Sequence, residues 1–242
     1  MKIIRTIFVS ALFSFSSAAL AAPQHSSPDQ APKDPDARAA KVLAKMTLDE
    51  KLSMLMGYLT PRMPEELRPE GVPTGAGFVP GVPRLGVPAL VESDASLGVA
   101  NMGGFMRPDD EATAMPAALS MAATWNPELI EQAGRVMGAE ARSKGFNVML
   151  AGGINLVREP RNGRNFEYFS EDPLLSGVLG GYSVRGIQSN HIVSTLKHFL
   201  LNAQETGRSF ADVRMDRAPM FESDLLAFEL AIEIGEPGSV MC

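Results

Sequence analysis

A chain of 242 residues with 45% apolar and 21% charged residues is long enough for one large α/β core or two small ones. That composition excludes general disorder and a protein of many membrane spans. The formal charge of -6, with arginines interleaved among acids, argues against a nucleic-acid surface, and a single cysteine, Cys242, excludes an intrachain disulfide. The three histidines (His25, His191 and His198) lack any ligand spacing, so no metal and no cofactor is expected.

Lys2 and Arg5 precede an apolar run from Ile7 to Phe15 and small residues ending Ala19-Leu20-Ala21. This is the layout of a secretory signal peptide over residues 1–21, too short for a span, and it predicts a periplasmic or secreted protein with no membrane association after cleavage. Residues 22–36 carry four prolines among polar fillers and read as a flexible leader. Helical spacing starts at Ala37. Thr47-Leu48-Asp49-Glu50 is a capping-box pattern, and Leu48, Leu52, Leu55, Met56 and Leu59 share one face, which predicts a helix over about 48–59.

Seven prolines and five glycines between residues 60 and 88 predict a long loop or a disordered insert. Val87 to Val91 then reads as a buried strand running into Glu92-Ser93-Asp94. Carboxylates just past the carboxyl end of a strand stand where α/β sheets and barrels place function. Asn126-Pro127-Glu128 opens a helix that runs to Lys144 and stops at Gly145. Trp125, before that cap, could stack on a sugar, but core packing is the expected role. Phe146 to Leu150 is the next strand, Asp172-Pro173 opens a helix to about Ser189, Ile192 to Leu196 is a strand, and Pro219 to Ile234 is a helix before a strand near Ser239.

Strand starts near 146, 192 and 239, each pair bridged by a helix, give the rhythm of βαβ units around a parallel sheet. With the strand near 88 there are about four β/α units, against about eight in a closed (β/α)8 barrel. The expectation is an α/β fold, a partial TIM barrel truncated after about four units. No GxGxxG follows a strand, which disfavours a dinucleotide-binding sheet.

The stretch Arg158 to Pro173 interleaves Arg158, Arg161 and Arg164 with Glu159, Glu167 and Glu171 and with Phe166, Tyr168 and Phe169. Such a blend suits either a half-buried site gripping something polar or a structural ion-pair knot. Asp94, Arg164, Lys197 and His198 fall just beyond the carboxyl ends of strands and are expected to converge on one face. Two cations, an imidazole and a carboxylate can bind a polyhydroxylated ring, because each hydroxyl donates and accepts. Lys197 and His198 are adjacent, so strand alternation would turn one of them away. His191 is expected at the surface.

Gly163-Arg164-Asn165-Phe166-Glu167-Tyr168-Phe169-Ser170-Glu171-Asp172-Pro173, with Thr195-Leu196-Lys197-His198-Phe199 and Asn202-Ala203-Gln204-Glu205-Thr206, resembles the N-terminal barrel domain of glycoside hydrolase family 3. Pro83 to Leu90, Ala123 to Glu128 and Val240-Met241-Cys242 extend the resemblance over about residues 37–242. It implies a β-glucosidase-like enzyme acting on terminal non-reducing β-D-glucosyl residues of β-linked oligosaccharides or of aryl and alkyl glycosides.

The resemblance further implies that Asp94, Arg164, Lys197 and His198 bind the sugar beside the scissile bond. It places the catalytic nucleophile and the acid/base beyond Cys242, so this chain alone is expected to be inactive. Retaining hydrolysis needs two carboxyl groups about 5–5.5 Å apart, and Glu92 with Asp94, two apart on one strand face, suits binding better than double displacement. Ser93-Asp94-Ala95 departs from the family's usual Asp-Gly-Pro, and Gly207-Arg208-Ser209 from its usual asparagine-containing turn. The alternatives are a β-xylosidase or β-N-acetylhexosaminidase of the same family, or a noncatalytic periplasmic sugar-binding protein. Leu200-Leu201 stands where the hexosaminidases carry Pro-Gly.

Overall fold

The structure is a computed structural model and describes residues 34–242 apart from 65, 67, 95 and 102–106. The expected signal peptide and most of the expected leader lie outside the described residues. The chain divides into two units, residues 1–44 and 45–242. Helix α1 (Pro35–Leu43) belongs to the first. It starts two residues before the expected Ala37, because Asp34 accepts from the Asp36 amide at 3.1 Å and Pro35 supplies a preset first helical residue.

In the second unit, α2 (Leu48–Ser53) has the predicted capping box: Glu50 donates its amide to the Thr47 hydroxyl at 3.3 Å, and the Thr47 amide donates to the Glu50 carboxylate at 2.8 Å. The helix ends well short of Leu59. Tyr58 instead exchanges backbone hydrogen bonds with Phe78, at 2.8 and 2.9 Å, and a residue drawn into a bridge cannot stay helical.

The proline-rich stretch is ordered around Thr60, whose buried hydroxyl donates to the Gly75 carbonyl at 2.7 Å and accepts from its amide at 2.6 Å. It contains β1 (Gly77–Val79), which pairs antiparallel with β2 (Leu90–Asp94). The expected strand at Val87 therefore starts later. Val87 is taken up in a bridge to Val82 around the left-handed Gly86.

Helix α3 (Ala118–Ala122) was not expected; it has no side-chain cap and spans five residues. The two helices with strong caps are found as read. In α4 (Pro127–Ser143) the Asn126 side chain accepts from the Leu129 amide at 3.0 Å, and in α5 (Pro173–Gln188) Asp172 accepts from Leu175 at 2.7 Å. The strands that follow them are β3 (Val148–Leu150) and β4 (Val193–Leu196). The expected helix over 219–234 is two helices, α6 (Arg217–Glu222) and α7 (Asp224–Gly235), broken at Ser223. There Arg158 donates to the Ser223 hydroxyl at 2.8 Å and pairs with Asp224.

With β5 (Ser239–Val240), the sheet runs β1-β2-β3-β4-β5, antiparallel at its first pair and parallel at the other three. The fold is α/β with a mixed sheet. Four parallel strands match the four expected units, and β1 is an addition. Val91, Ser93, Met149 and Ser194 are buried, and Val91 and Met149 join one core cluster with Met137 and Ala141 of α4 and Ile187 of α5. The opposite side chains of β2, Leu90 and Asp94, stay exposed, so the alternation of one strand aims Asp94 away from that core.

Helices α4 and α5 cross at glycines. A Cβ at Gly186 would stand 2.2 Å from the Glu131 carbonyl, and one at Gly134 would stand 2.5 Å from the Ser183 carbonyl. On an open helix, Gly→Ala stabilises by about 0.5–1 kcal/mol. Here overpacking of about 1–3 kcal/mol should win, so Gly186→Ala is expected to lower the urea midpoint, and a raised midpoint would contradict the close crossing.

Candidate functional site

Asp94 closes β2, and Lys197 and His198 follow directly on β4. Arg164 stands at the start of a single 3-10 turn, Asn165–Glu167, in the long loop between β3 and α5. All four side chains line one cavity of about 420 Å³, to which Leu150, Phe199, Leu200 and Met241 add apolar surface. Lys197 is the last residue held in the ladder, by a parallel bridge to Gly153, and strand alternation does not extend to His198, so the two side chains are not separated. The peptide bond joining the two residues is cis.

The residue that holds this group together was not assigned a role from sequence. Glu167 is 3% exposed, accepts from Arg164 Nε at 2.5 Å and from the Ser96 hydroxyl at 2.6 Å, and pairs with Lys197 Nζ at 3.3 Å. Lys197, itself 2% exposed, also reaches Asp94 Oδ1 at 3.1 Å, while the Asp94 side chain remains 58% exposed. Arg208 lines the cavity too and donates to Glu205 at 2.8 Å. Glu205 lies 3.8 Å from Arg164 Nη1 and accepts from Asn202 at 3.1 Å. The available signals were the three-residue spacing of Arg164 and Glu167 and an arginine in a glycine turn.

The aromatic residues of the stretch divide. Tyr168 and Phe169 are buried and pack the loop, whereas Phe166 is exposed. Trp125 is 73% exposed at a residue of positive φ (53°), so the expected core role is corrected: the turn before α4 points it outward. His191 is exposed, as expected. Among the described residues, no group of three His, Cys, Asp or Glu is placed to hold a metal ion.

Burial pushes the Glu167 carboxyl up, but Lys197, Ser96 and Arg164 together outweigh it and hold the group below the ordinary range. Burial, and then the Arg164 and Lys197 charges, bring the His198 imidazole down to about 4. Burial, with the neighbouring Glu167 charge, pushes the Tyr168 phenol up to about 12. At neutral pH the cavity therefore offers charged donors from Arg164, Lys197 and Arg208, an exposed carboxylate and a neutral imidazole. That set can hydrogen-bond several hydroxyls of one ring at once, and the volume suits one small polar ligand.

The depressed Glu167 pKa contributes stability that is present above the ordinary value of 4.5 and lost as pH falls through the lowered one. His198 acts in the same direction between 6.5 and about 4, where unfolding takes up a proton. Glu167→Gln, which leaves the buried Lys197 only the exposed Asp94 as a counter-charge, should destabilise the chain at pH 7 by about 3 kcal/mol and flatten its stability profile below pH 4.5. Urea denaturation across pH 7 to 3 reads both effects. An unchanged profile would contradict the assignment.

Residues 76–242 match the family described as "Glycosyl hydrolase family 3 N terminal domain". The chain is 41% identical over 168 residues to beta-glucosidase BoGH3A of Bacteroides ovatus, covering 67% of this chain and 22% of that protein. It is 33% identical over 211 residues to thermostable beta-glucosidase B of Acetivibrio thermocellus, covering 84% and 25%. Among solved structures, beta-glucosidase 3B of Thermotoga neapolitana in complex with alpha-D-glucose superposes with a TM-score of 0.75 at 37% identity, over 84% of this chain and 28% of that one. DesR, a beta-glucosidase of Streptomyces venezuelae in complex with D-glucose, superposes with a TM-score of 0.73 at 36% identity, over 85% and 24%. The chain thus spans about a quarter or less of the length of these curated relatives. The match over residues 76–242, together with these likenesses, shows that the chain belongs to glycosyl hydrolase family 3.

Proposed function

We propose that this chain forms the glycone-binding part of an exported β-glucosidase that hydrolyses terminal β-D-glucosyl residues with retention. The observation that carries the proposal is the convergence of Asp94, Arg164, Lys197 and His198 on one cavity in a family whose matched members are named beta-glucosidases. Two of the superposable structures hold glucose, which favours glucose as the ring bound here. The four parallel strands support a reading as the first four units of a (β/α)8 barrel. The layout of residues 1–21 supports export to the periplasm or beyond the cell, with cleavage after Ala21.

Retention requires a nucleophile and an acid/base across one glycosidic bond. Asp94 is the one carboxylate among the described residues that line the cavity, and Lys197 and its neighbours occupy it as a binding group. We therefore assign both catalytic carboxylates to a longer protein that carries this chain, and binding without turnover to the 242 residues alone. Asp94 and Arg164 make the hydroxyl contacts that strengthen as the ring distorts toward the oxocarbenium-like transition state.

Arg164→Ala in the longer protein should lower kcat/KM for an aryl β-glucoside by several kcal/mol, roughly a hundredfold or more, because a charged donor in a shielded pocket is lost. The purified 242-residue chain should show no turnover of the same substrate. An unchanged kcat/KM would overturn the role of Arg164, and turnover by the chain alone would overturn the assignment of the catalytic pair.

A further inference from the structure

Asn155 is 2% exposed and lies in an otherwise apolar run after β3. It makes three contacts with one residue. Its Oδ1 accepts the His198 backbone amide at 2.8 Å, its Nδ2 donates to the His198 carbonyl at 2.9 Å, and Oδ1 also stands 3.3 Å from His198 Nδ1. The first two contacts fix the orientation of the side-chain amide. A backbone N–H only donates and a backbone carbonyl only accepts, so a flipped amide would set donor against donor and acceptor against acceptor at both positions.

With Oδ1 held as an acceptor, only imidazole states with a proton on Nδ1 are compatible. Nδ1 must carry a proton, since an unprotonated Nδ1 would face the lone pairs of Oδ1 at 3.3 Å. The second neighbour of Nδ1 is consistent with this. The Tyr168 hydroxyl has one proton and donates it to the Asn202 carbonyl at 3.2 Å, and it accepts from Asn202 Nδ2 at 3.2 Å. Its remaining lone pair faces Nδ1 at 3.3 Å and can receive the ring proton. The other tautomer would take the Tyr168 proton from the Asn202 carbonyl and still leave the clash at Asn155.

We propose that Asn155 is a positioning residue that locks His198 as the neutral Nδ1–H tautomer, so that Nε2 offers the cavity an acceptor and never a donor. The inference deepens the sugar-binding reading and rests on it for the identity of the ligand. Arg164, Lys197 and Arg208 can only donate, and Asp94 and His198 Nε2 can only accept, so the site recognises a ring hydroxyl by the direction of its hydrogen bond as well as its position. The hydroxyl facing His198 must donate. Burial and the cations Arg164 and Lys197 keep the ring neutral at physiological pH against the pull of Glu167 and Asp94, which leaves that lone pair free to accept.

The full 242-residue chain, labelled with nitrogen-15 at histidine, tests this without any catalysis, because protonated and unprotonated imidazole nitrogens resonate far apart. His198 is assigned by its absence from a His198→Gln sample. The expected spectrum has a protonated Nδ1 and a bare Nε2; a protonated Nε2, or an averaged pair, would overturn the proposal. Asn155→Ala should shift the population toward Nε2–H, whereas Asn155→Asp, which keeps the acceptor, should retain Nδ1–H even if the alanine variant fails to fold. Wild-type shifts in the alanine variant, or loss of Nδ1–H in the aspartate variant, would refute the role of Asn155. Added glucose should move the Nε2 resonance, whereas 2-, 3-, 4- and 6-deoxyfluoroglucose, tried in turn, should include one analogue that does not. A correct tautomer with no response to glucose would count against the sugar reading and leave the lock standing, so the two failures are distinguishable.

Discussion

The candidate site depends on one buried carboxylate. Glu167 stands between Arg164 and Lys197 with both cations inside hydrogen-bond reach, and each of the three needs the others. A lysine 2% exposed with no counter-charge would lose its proton or leave its pocket, and an arginine one turn earlier would swing into solvent. With Glu167 in place, Lys197 is held against Asp94, which closes the far side of the group. The ion-pair knot and the candidate site, which composition alone could not separate, share the same residues: the knot holds the donors that line the cavity.

The fold supplies this arrangement economically. Alternation along β2 buries Val91 and Ser93 and leaves Asp94 on the open face. The parallel register sets Asp94 level with Leu150 and Met149 level with Ser194, so the residues that follow β4 emerge at the same end of the sheet as Asp94. On the helical side, glycines let α4 and α5 approach until backbone meets backbone, which fixes the loop that carries Arg164 at both of its anchors, β3 and α5. Tyr168 fills the space under that loop and reaches the imidazole edge-on, with ring centroids 6.2 Å apart.

Features with a local cause were legible in the sequence. The caps at Thr47, Asn126 and Asp172 each rest on a side chain bonding within three residues, and all three form. The four substrate-binding candidates were read from their places beyond the strand ends and from a family resemblance, and the cavity gathers them. What was missed depends on partners far along the chain. The antiparallel β1 emerges from a proline-rich stretch because Thr60 and Tyr58 tie it down, and α6 separates from α7 where Arg158 pairs with Asp224. Glu167 and Asn155 read as ordinary polar residues until Lys197 and His198 are brought beside them. Trp125 is expected in the core from sequence, and a turn with positive φ directs it outward.

The central claim is that this charged group grips a single sugar ring. A crystal structure of a protein carrying this chain, grown with glucose or an uncleaved β-glucoside analogue, tests it most directly. The account predicts the ring in the 420 Å³ cavity, with hydroxyls within about 3.2 Å of Asp94, Arg164, Lys197 and His198 Nε2. A ring bound elsewhere, with Lys197 and Arg164 still engaged only by Glu167, would contradict it.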